Sequence, residues 1–317
     1  MRAVQPDSKI TADFSEPSGQ APIGRFAPSP TGDLHFGSLM VAVGSFLDAR
    51  ARGGRWLVRI EDIDPPREVA GAAERQLAVL ATFGMNPDEA PSYQSRARHR
   101  HENAINHLLD SRLAYPCGCT RSDLSPDGRY PGTCRRGLRP GREARSIRFN
   151  VGDHTVVFED GVRGTQQQIP ASQSGDFIIR RSDDLIAYQL AVVVDDAAAG
   201  ITDVVRGADL LQSTGRQILL QQALGLPTPR YLHLPLVVDR EGRKLSKSQA
   251  DDPVNSRNAP STLALALKAL GHPPPDDCRC LTTLWNWALT HWNPRRIPHR
   301  PVIVQGGRVE SYTPGPA

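Results

Sequence analysis

The sequence predicts an α/β fold built on a parallel sheet, with a separate region inserted between the two halves of that sheet. Three observations predict it. A strand, a glycine-containing turn, a helix and a second strand follow one another over residues 23–61, which is the βαβ pattern of a parallel sheet. Strand-like and apolar segments return over residues 176–238. Between them lies a polar stretch rich in cysteine and arginine.

The composition is that of an ordinary globular protein. The 317 residues suffice for one large or two modest domains, with 23% charged and 39% hydrophobic residues. No apolar run approaches a membrane span, and residues 1–20 lack the apolar segment of a signal peptide. We therefore expect a cytoplasmic protein that binds no membrane, with a disordered N-terminal extension. We also expect a monomer. The net charge of +4 and the pI of about 8.9 favour a polyanionic partner.

The first strand, Ile23 to Phe26, ends where two prolines remove hydrogen-bond donors from the ladder. Two glycines then let the turn approach a ligand closely, and a helix with apolar residues at helical spacing begins at Ser38. A strand, a turn and a helix N-terminus suit a phosphate group, because free N–H groups and the helix dipole both favour an anion. His35 lies in this turn, where its ring could donate to a phosphate oxygen, although a single histidine is more often a surface residue.

The second strand, Arg55 to Glu61, is followed by further acids at Asp62 and Asp64. In open α/β sheets, ligands bind at the carboxyl ends of the strands. We therefore interpret these carboxylates as part of a site rather than as a solvated turn. Helices are predicted at residues 68–83 and 95–113.

The cysteine pattern predicts a metal site. Cys117, Cys119 and Cys134 have a spacing suited to tetrahedral Zn²⁺. Because we expect a reducing cytoplasm and see no disulfide framework, clustered cysteines are more typical of a metal site. Nothing nearby resembles a catalytic apparatus, so we expect a structural role. Three thiols leave one position open, for which the residues alone allow water, Asp123, Asp127 or Tyr130.

Residues 135–148 contain six arginines and form our candidate for contact with a nucleic-acid backbone. The sheet is then expected to resume, with strands at 176–181, 201–206 and 231–238, a strongly apolar segment at 185–196 and a helix at 212–224. Tyr188 could be a core ring and Arg206 an ion-pair partner. With Arg25 they also form a set suited to an acidic amino acid, because arginine binds a carboxylate bidentately and tyrosine adds a directional hydroxyl.

Only four of the 38 basic residues are lysines, yet two of them, Lys244 and Lys247, lie within four residues of one another. They belong to a glycine-flanked segment, Gly-Arg-Lys-Leu-Ser-Lys-Ser, which could close on phosphates and neutralise their charge. Beyond it, a helix at 261–270 and a helical segment around 281–292 predict a small appendage, and the Pro-rich remainder predicts no further element.

These motifs resemble the class I aminoacyl-tRNA synthetases of the glutamyl branch over residues 24–248. Arg25-Phe-Ala-Pro-Ser-Pro-Thr-Gly with His35-Phe-Gly-Ser resembles the HIGH region, although Ser38 replaces its second histidine. Lys244-Leu-Ser-Lys-Ser resembles the KMSKS loop with Leu in place of Met. Cys-x-Cys followed by Tyr-x-x-x-Cys resembles the zinc site of glutamyl-queuosine tRNA(Asp) synthetases, which implies Tyr130 as the fourth ligand. These are truncated paralogues without the large helical anticodon-binding region.

The resemblance implies a Rossmann-type parallel sheet interrupted by a zinc-containing domain that resembles an acceptor-binding domain. The implied divisions are a disordered extension (1–20), the first half of the catalytic domain (21–113), the inserted domain (114–175), the second half with the KLSKS loop (176–252) and a short C-terminal helical appendage (253–317).

The resemblance also implies ATP-dependent, tRNA-independent activation of L-glutamate, with one structural Zn²⁺ and with Mg²⁺ accompanying ATP. Glutamate would pass to the cyclopentenediol of queuosine at the wobble position of tRNA(Asp). The implied catalytic residues are His35, Lys244 and Lys247. The implied ATP-binding residues are His35, Gly37, Ser38, Lys244, Ser246 and Lys247. The implied glutamate-binding residues are Arg25, Phe26, Ala27, Pro28, Ser29, Glu61, Tyr188 and Arg206.

Three other functions fit part of this pattern. A short glutamyl-tRNA synthetase that charges a tRNA 3′ end would share the activation residues. A catalytically silent RNA-binding paralogue would not need His35, Glu61 and both lysines. A small-molecule adenylyltransferase could share the His-x-Gly turn but would have no use for the glutamate-binding set or the cysteine cluster.

Overall fold

The computed structural model describes residues 9–11, 21–244, 254 and 256–313. The strands β1 to β14 are Lys9–Thr11, Ile23–Phe26, Arg55–Ile60, Ser92–Tyr93, Ala114–Cys117, Ser146–Phe149, Thr155–Asp160, Gly164–Gln168, Phe177–Arg180, Asp203–Gly207, Arg230–Leu234, Val237–Val238, Val302–Gln305 and Arg308–Ser311. The helices α1 to α8 are Phe36–Arg50, Ala72–Thr82, Arg98–Asp110, Pro170–Gln173, Tyr188–Ala198, Thr214–Ala223, Ala259–Ala269 and Leu281–His291. No helix in these ranges is long and apolar enough to cross a bilayer.

The predicted α/β fold is confirmed. An eight-stranded sheet has the order β1-β7-β11-β10-β2-β3-β4, and β8 pairs with β7. The β7–β8 pairing is antiparallel, and the other pairings of this sheet are parallel. The chain order reverses between β2 and β10, because β3 and β4 lie on one side and the later strands on the other. Such a reversal is where open parallel sheets bind ligands, beyond the carboxyl ends of the strands.

Helix α1 packs on this sheet with a largely buried apolar surface that includes Leu39, Val43 and Leu47. Gly44 permits the close approach, because a Cβ at this position would lie 2.6 Å from Leu234 Cδ1 of β11. The packing fixes the N-terminus of α1 beside the carboxyl ends of β2 and β10.

Parts of the second half of the chain lie outside the main sheet, including Val237–Val238 at the end of the strand predicted at 231–238, which forms β12. The strand predicted at 176–181 forms β9 and pairs with β6 in a separate antiparallel sheet of order β5-β6-β9. The apolar segment at 185–196 becomes helix α5. A short apolar run does not distinguish a buried strand from a buried helix, and the sequence analysis assigned this segment to neither. Strands β7 and β8, by contrast, join the main sheet.

Both ends of the chain contain strands that the sequence interpretation missed. Lys9–Thr11 pairs in parallel with β7, so the expected disorder of residues 1–20 does not hold for these three residues. Helices α7 and α8 form the expected C-terminal helical appendage and pack against the core that contains α1. After them, β13 and β14 form a hairpin that pairs with β12. The prediction that the Pro-rich C-terminal residues form no further element was therefore wrong. Gly306 and Gly307 at its turn both have positive φ, as a two-residue type I′ turn requires.

Four charged side chains of alternating sign join β2, β3 and α5 beneath the carboxyl edge of the sheet. Arg25 of β2 donates two bonds of 3.1 Å to the two carboxylate oxygens of Asp196 on α5. Arg59 of β3 donates to Asp196 Oδ1 at 2.7 Å and to Glu61 Oε1 at 3.3 Å. All four side chains are less than 10% exposed.

The pKa values of this cluster follow from its burial and its pairing. Burial alone would raise the pKa of Asp196, but the Arg25 and Arg59 guanidiniums overcome it and lower the pKa. Burial also opposes the charge of Arg59, yet the carboxylates of Asp196 and Glu61 raise its pKa. Asp196 and Arg59 therefore stay ionised, and the charge of each depends on its neighbours.

We expect Asp196→Asn to lower the free energy of unfolding at pH 7 by about 3–5 kcal/mol, because it leaves two buried guanidiniums without their shared carboxylate. Urea unfolding monitored by circular dichroism measures this. Since folding lowers the pKa of Asp196, its contribution is present above about pH 4 and is lost as the pH falls through the folded value. The difference between the two proteins should therefore shrink with acidification.

The matched control is Asp183→Asn, which removes an exposed carboxylate that pairs with Arg181 at 2.7 Å. It should change the free energy of unfolding by less than about 1 kcal/mol. An equally small change for Asp196→Asn would contradict the role given to the buried cluster.

Candidate active site

A cavity of about 650 Å³ opens at the carboxyl edge of the sheet, where the chain order reverses. It is lined by the ends of β2, β3 and β10, the N-termini of α1 and α5, and the segment after β11. The structure brings together in it all the predicted substrate-binding residues that it describes: Arg25, Phe26, Ala27, Pro28, Ser29, His35, Gly37, Ser38, Glu61, Tyr188, Arg206 and Lys244. Ser246 and Lys247 lie outside the described residues.

His35 caps the N-terminus of α1. Its Nδ1 accepts the backbone N–H of Ser38 at 3.3 Å, so the neutral ring carries its proton on Nε2, which lies 3.0 Å from Ser38 Oγ. Gly37 accommodates the ring, because a Cβ there would lie 3.1 Å from His35 Cε1. The serine that replaces the second histidine of the motif thus contacts the first one. The free N–H groups of this helix end make it suited to a phosphate group.

Lys244 lies at the rim of the cavity, where its Nζ contacts Asp209 Oδ2 at 2.6 Å. Both side chains are partly exposed. The ion pair places the first lysine of the KLSKS motif on the same cavity as His35.

The sheet side of the cavity combines buried groups of different charge. Arg25 faces it while held by Asp196, and Glu61 faces it while held by Arg59. Burial raises the pKa of Glu61, against the effect of the two guanidiniums. Burial also raises the pKa of Tyr188, so its phenol keeps the proton and can donate a hydrogen bond.

Arg206, at the end of β10, is 5% exposed and is held by neutral groups. It donates to His233 Nε2 at 3.0 Å, to Gln217 Oε1 at 2.7 Å and to Thr214 Oγ1 at 2.9 Å. Its cationic side chain lines the cavity and suits a ligand carboxylate.

Sequence reasoning missed the side chains that support these residues, namely Arg59, Asp160, Asp196, Thr214, Gln217 and His233. Asp160 and His233 lie at or near the carboxyl ends of β7 and β11, and their positions at strand ends could have indicated them. Asp196 stands at the end of an apolar segment, and nothing in that local pattern indicates its contacts with Arg25 and Arg59.

The predicted metal ligands also come together, beside the sheet formed by β5, β6 and β9, with Cys117 at the end of β5. The Sγ atoms of Cys117, Cys119 and Cys134 lie within 4.8 Å of one another. Among the residues that the structure describes, these three form the group of His, Cys, Asp or Glu side chains close enough to hold a metal ion. Tyr130 Oη lies 3.4 Å from Cys117 Sγ and 3.9 Å from Cys119 Sγ. Tetrahedral Zn²⁺ with thiolate ligands needs separations of about 3.8 Å between ligand atoms, so the cluster fits the ion.

The arginines of residues 135–148 divide into two groups. Three make internal contacts: Arg135 with Asp176 at 2.6 Å, Arg142 with Asp123 at 3.2 Å, and Arg148 with Cys117 Sγ at 3.3 Å. The other three, Arg136, Arg139 and Arg145, are exposed. Part of the predicted nucleic-acid surface is therefore structural.

Comparison with known proteins places the fold. The family model described as tRNA synthetases class I (E and Q), catalytic domain, matches residues 23–129 and 133–267. A glutamate tRNA ligase from Elizabethkingia meningosepticum, solved in complex with its amino acid, aligns with a TM-score of 0.77 over 90% of this chain and 67% of that one. At 24% identity, this likeness concerns the fold alone.

Sequence relatives are more similar. The glutamyl-Q tRNA(Asp) synthetase of Chromobacterium violaceum is 48% identical over 88% of this chain and 96% of its own length. That of Burkholderia cenocepacia is 54% identical over 79% of this chain and 90% of its own. The chain belongs to the glutamyl-Q tRNA(Asp) synthetases, within the class I tRNA synthetase family.

Proposed function

We propose that this chain activates L-glutamate with ATP, without a requirement for tRNA, and transfers it to queuosine at the wobble position of tRNA(Asp). The names of relatives with 48% and 54% identity support the reaction. The observation that carries the proposal is the single cavity, which contains both a helix N-terminus suited to an anion and buried charges suited to an amino acid.

We assign the acidic amino acid to the sheet side of the cavity, with Arg25, Phe26, Ala27, Pro28, Ser29, Glu61, Tyr188 and Arg206. The carboxylate of Glu61 suits the substrate ammonium group. The guanidinium of Arg206 and the hydroxyl of Tyr188 suit its side-chain carboxylate. The α-carboxylate is then free to face the nucleotide.

We assign ATP to the N-terminus of α1 and the KLSKS segment, with His35, Gly37, Ser38, Lys244, Ser246 and Lys247. An oxygen of the glutamate α-carboxylate attacks the α-phosphorus, and the bond to pyrophosphate breaks. His35, the helix N–H groups and the two lysines stabilise charge on the phosphates, so the protein acts by positioning and electrostatics and needs no nucleophile. Mg²⁺ bound with ATP would neutralise part of the pyrophosphate charge.

In the second step, a cyclopentenediol hydroxyl of queuosine attacks the activated carbonyl, and AMP leaves. The acceptor is inferred from the relatives' names, because no residue of the cavity identifies a nucleoside. The exposed arginines Arg136, Arg139 and Arg145 are our candidates for contact with the tRNA backbone. We retain as proposals the division at residues 20, 113, 175 and 252, a monomeric state and a cytoplasmic location.

The activity is tested by glutamate-dependent ATP–pyrophosphate exchange without tRNA, followed by transfer of labelled glutamate to tRNA(Asp). We expect pyrophosphate exchange in the absence of tRNA. We also expect labelled glutamate only on tRNA(Asp) that contains queuosine, and we expect this labelling to persist when the 3′-terminal adenosine has been removed. Lys247→Ala should reduce exchange strongly, whereas Lys268→Ala, at an exposed position of α7, should leave it unchanged.

Two results would contradict the proposal. Labelling of unmodified tRNA(Asp) that requires the terminal adenosine would identify a short glutamyl-tRNA synthetase. Absence of exchange would identify a silent paralogue.

We further propose one structural Zn²⁺ bound by Cys117, Cys119, Tyr130 and Cys134. The donor chemistry supports it, because backbone N–H groups and the Arg148 guanidinium point at these atoms. The N–H of Cys119 lies 3.4 Å from Cys117 Sγ, and that of Cys134 lies 2.9 Å from Tyr130 Oη. Such donors hold the ligands in place.

We expect plasma emission spectroscopy to find one zinc per wild-type chain. Cys134→Ser should lose most of the zinc and lower the melting temperature, since metal binding contributes to folding. Cys280→Ser, which removes an exposed thiol away from the cluster, should keep both unchanged. Full zinc content in Cys134→Ser would refute the assignment.

A further inference from the structure

Arg206 differs from the other arginine on the floor of the cavity. Arg25 forms a bidentate ion pair with Asp196, so its charge is compensated within the protein. Arg206 is also buried, with 5% of its surface exposed, and a buried cation normally pairs with a carboxylate. Among the described residues, however, no carboxylate lies within ion-pair distance of it. Its hydrogen-bond partners are His233, Gln217, Thr214 and the backbone carbonyl of Leu210, all of which are uncharged acceptors when His233 is neutral.

The imidazole of His233 lies between Arg206 and Asp160. The Nδ1 atom is 2.5 Å from Asp160 Oδ2, and Nε2 is 3.0 Å from Arg206 Nε. An arginine N–H only donates, so Nε2 must be the unprotonated acceptor and the ring proton must lie on Nδ1, where it donates to Asp160. Asp160 is itself fixed, because its Oδ1 accepts the backbone N–H groups of Val162 at 3.0 Å and Arg163 at 2.8 Å.

We propose that His233 is a specificity-determining positioning residue. Asp160 fixes its tautomer, and the neutral ring holds Arg206 in place without neutralising its charge, which is thereby reserved for the side-chain carboxylate of the substrate. This deepens the proposed function and depends on it for the identity of the ligand. A carboxylate compensates the buried cation, whereas the isosteric amide of glutamine does not, so the arrangement selects the acidic amino acid.

The charged groups around the ring keep it neutral. Burial, together with Arg206 and Arg163, outweighs Asp160 and lowers the pKa of His233 to about 4. The ring therefore does not become a second cation beside Arg206 at neutral pH.

Asp160→Asn tests the tautomer directly. The Asn oxygen would take over the backbone N–H groups of Val162 and Arg163, and its NH₂ group would then face His233 Nδ1. The ring proton would have to move to Nε2, where it opposes the N–H of Arg206. Nitrogen-15 NMR of the imidazoles should show His233 protonated at Nδ1 in the wild type and at Nε2 in the variant. An unchanged tautomer, or Nε2–H in the wild type, would overturn the inference.

Pyrophosphate exchange and calorimetry of amino-acid binding test the consequence. For Asp160→Asn we expect the KM for glutamate to rise at least tenfold, the preference for glutamate over glutamine to fall at least tenfold, and the KM for ATP to stay within twofold. The single variant His233→Gln still offers a neutral acceptor to Arg206. It should therefore retain most of the preference for glutamate over glutamine. His272→Gln replaces a buried histidine that stacks on Trp292 and should behave as the wild type.

A merely structural role would raise both KM values together or leave the preference for glutamate unchanged, and either result would overturn the inference. A wild type that binds no glutamate would instead refute the proposed function. The tautomer measurement would still decide how His233 holds Arg206, because it requires no ligand.

Discussion

The buried cluster of Arg25, Asp196, Arg59 and Glu61 determines the geometry of the cavity floor. Each guanidinium is held by a carboxylate on a neighbouring element, so β2, β3 and α5 cannot shift separately without leaving a buried charge uncompensated. A buried ion cluster of this kind contributes little net stability compared with apolar packing. Its value lies in orientation, because two of its members also face the cavity and present a cation and a carboxylate from fixed positions.

The other half of the site depends on the opposite arrangement. Arg206 is surrounded by neutral acceptors, and the nearest carboxylate along this chain of contacts, that of Asp160, acts through His233. The floor of the cavity thus contains Arg25, whose charge is compensated within the protein, and Arg206, whose charge we propose is reserved for a ligand. In our proposal, this difference allows a site with several charged groups to distinguish the ends of an amino acid. The same proposal makes selectivity depend on residues, such as His233 and Asp160, that need not touch the substrate.

Much of this architecture could be predicted from the sequence. Prolines after a short strand, glycines in the turn and a helical apolar pattern predicted β2, α1 and β3 together with His35. The roles of Tyr188, Arg206 and Tyr130 came from family resemblance, since a core tyrosine or a paired arginine has the same local pattern. Asp196 could not be assigned, because its contacts with Arg25 and Arg59 depend on how α5 packs beneath the sheet. The position of His233 in a strand could have marked it as a candidate, but its contacts depend on strand order. The hairpin of β13 and β14 was missed although its Gly306-Gly307 turn is a recognisable signal.

The central claim is that the cavity binds an amino acid in one orientation set by its buried charges. A crystal structure with L-glutamate bound tests this most directly. We expect the substrate ammonium group within hydrogen-bond distance of Glu61, the side-chain carboxylate on Arg206 and Tyr188, and the α-carboxylate directed toward His35. Glutamate bound in the reverse orientation, or outside this cavity, would contradict the account.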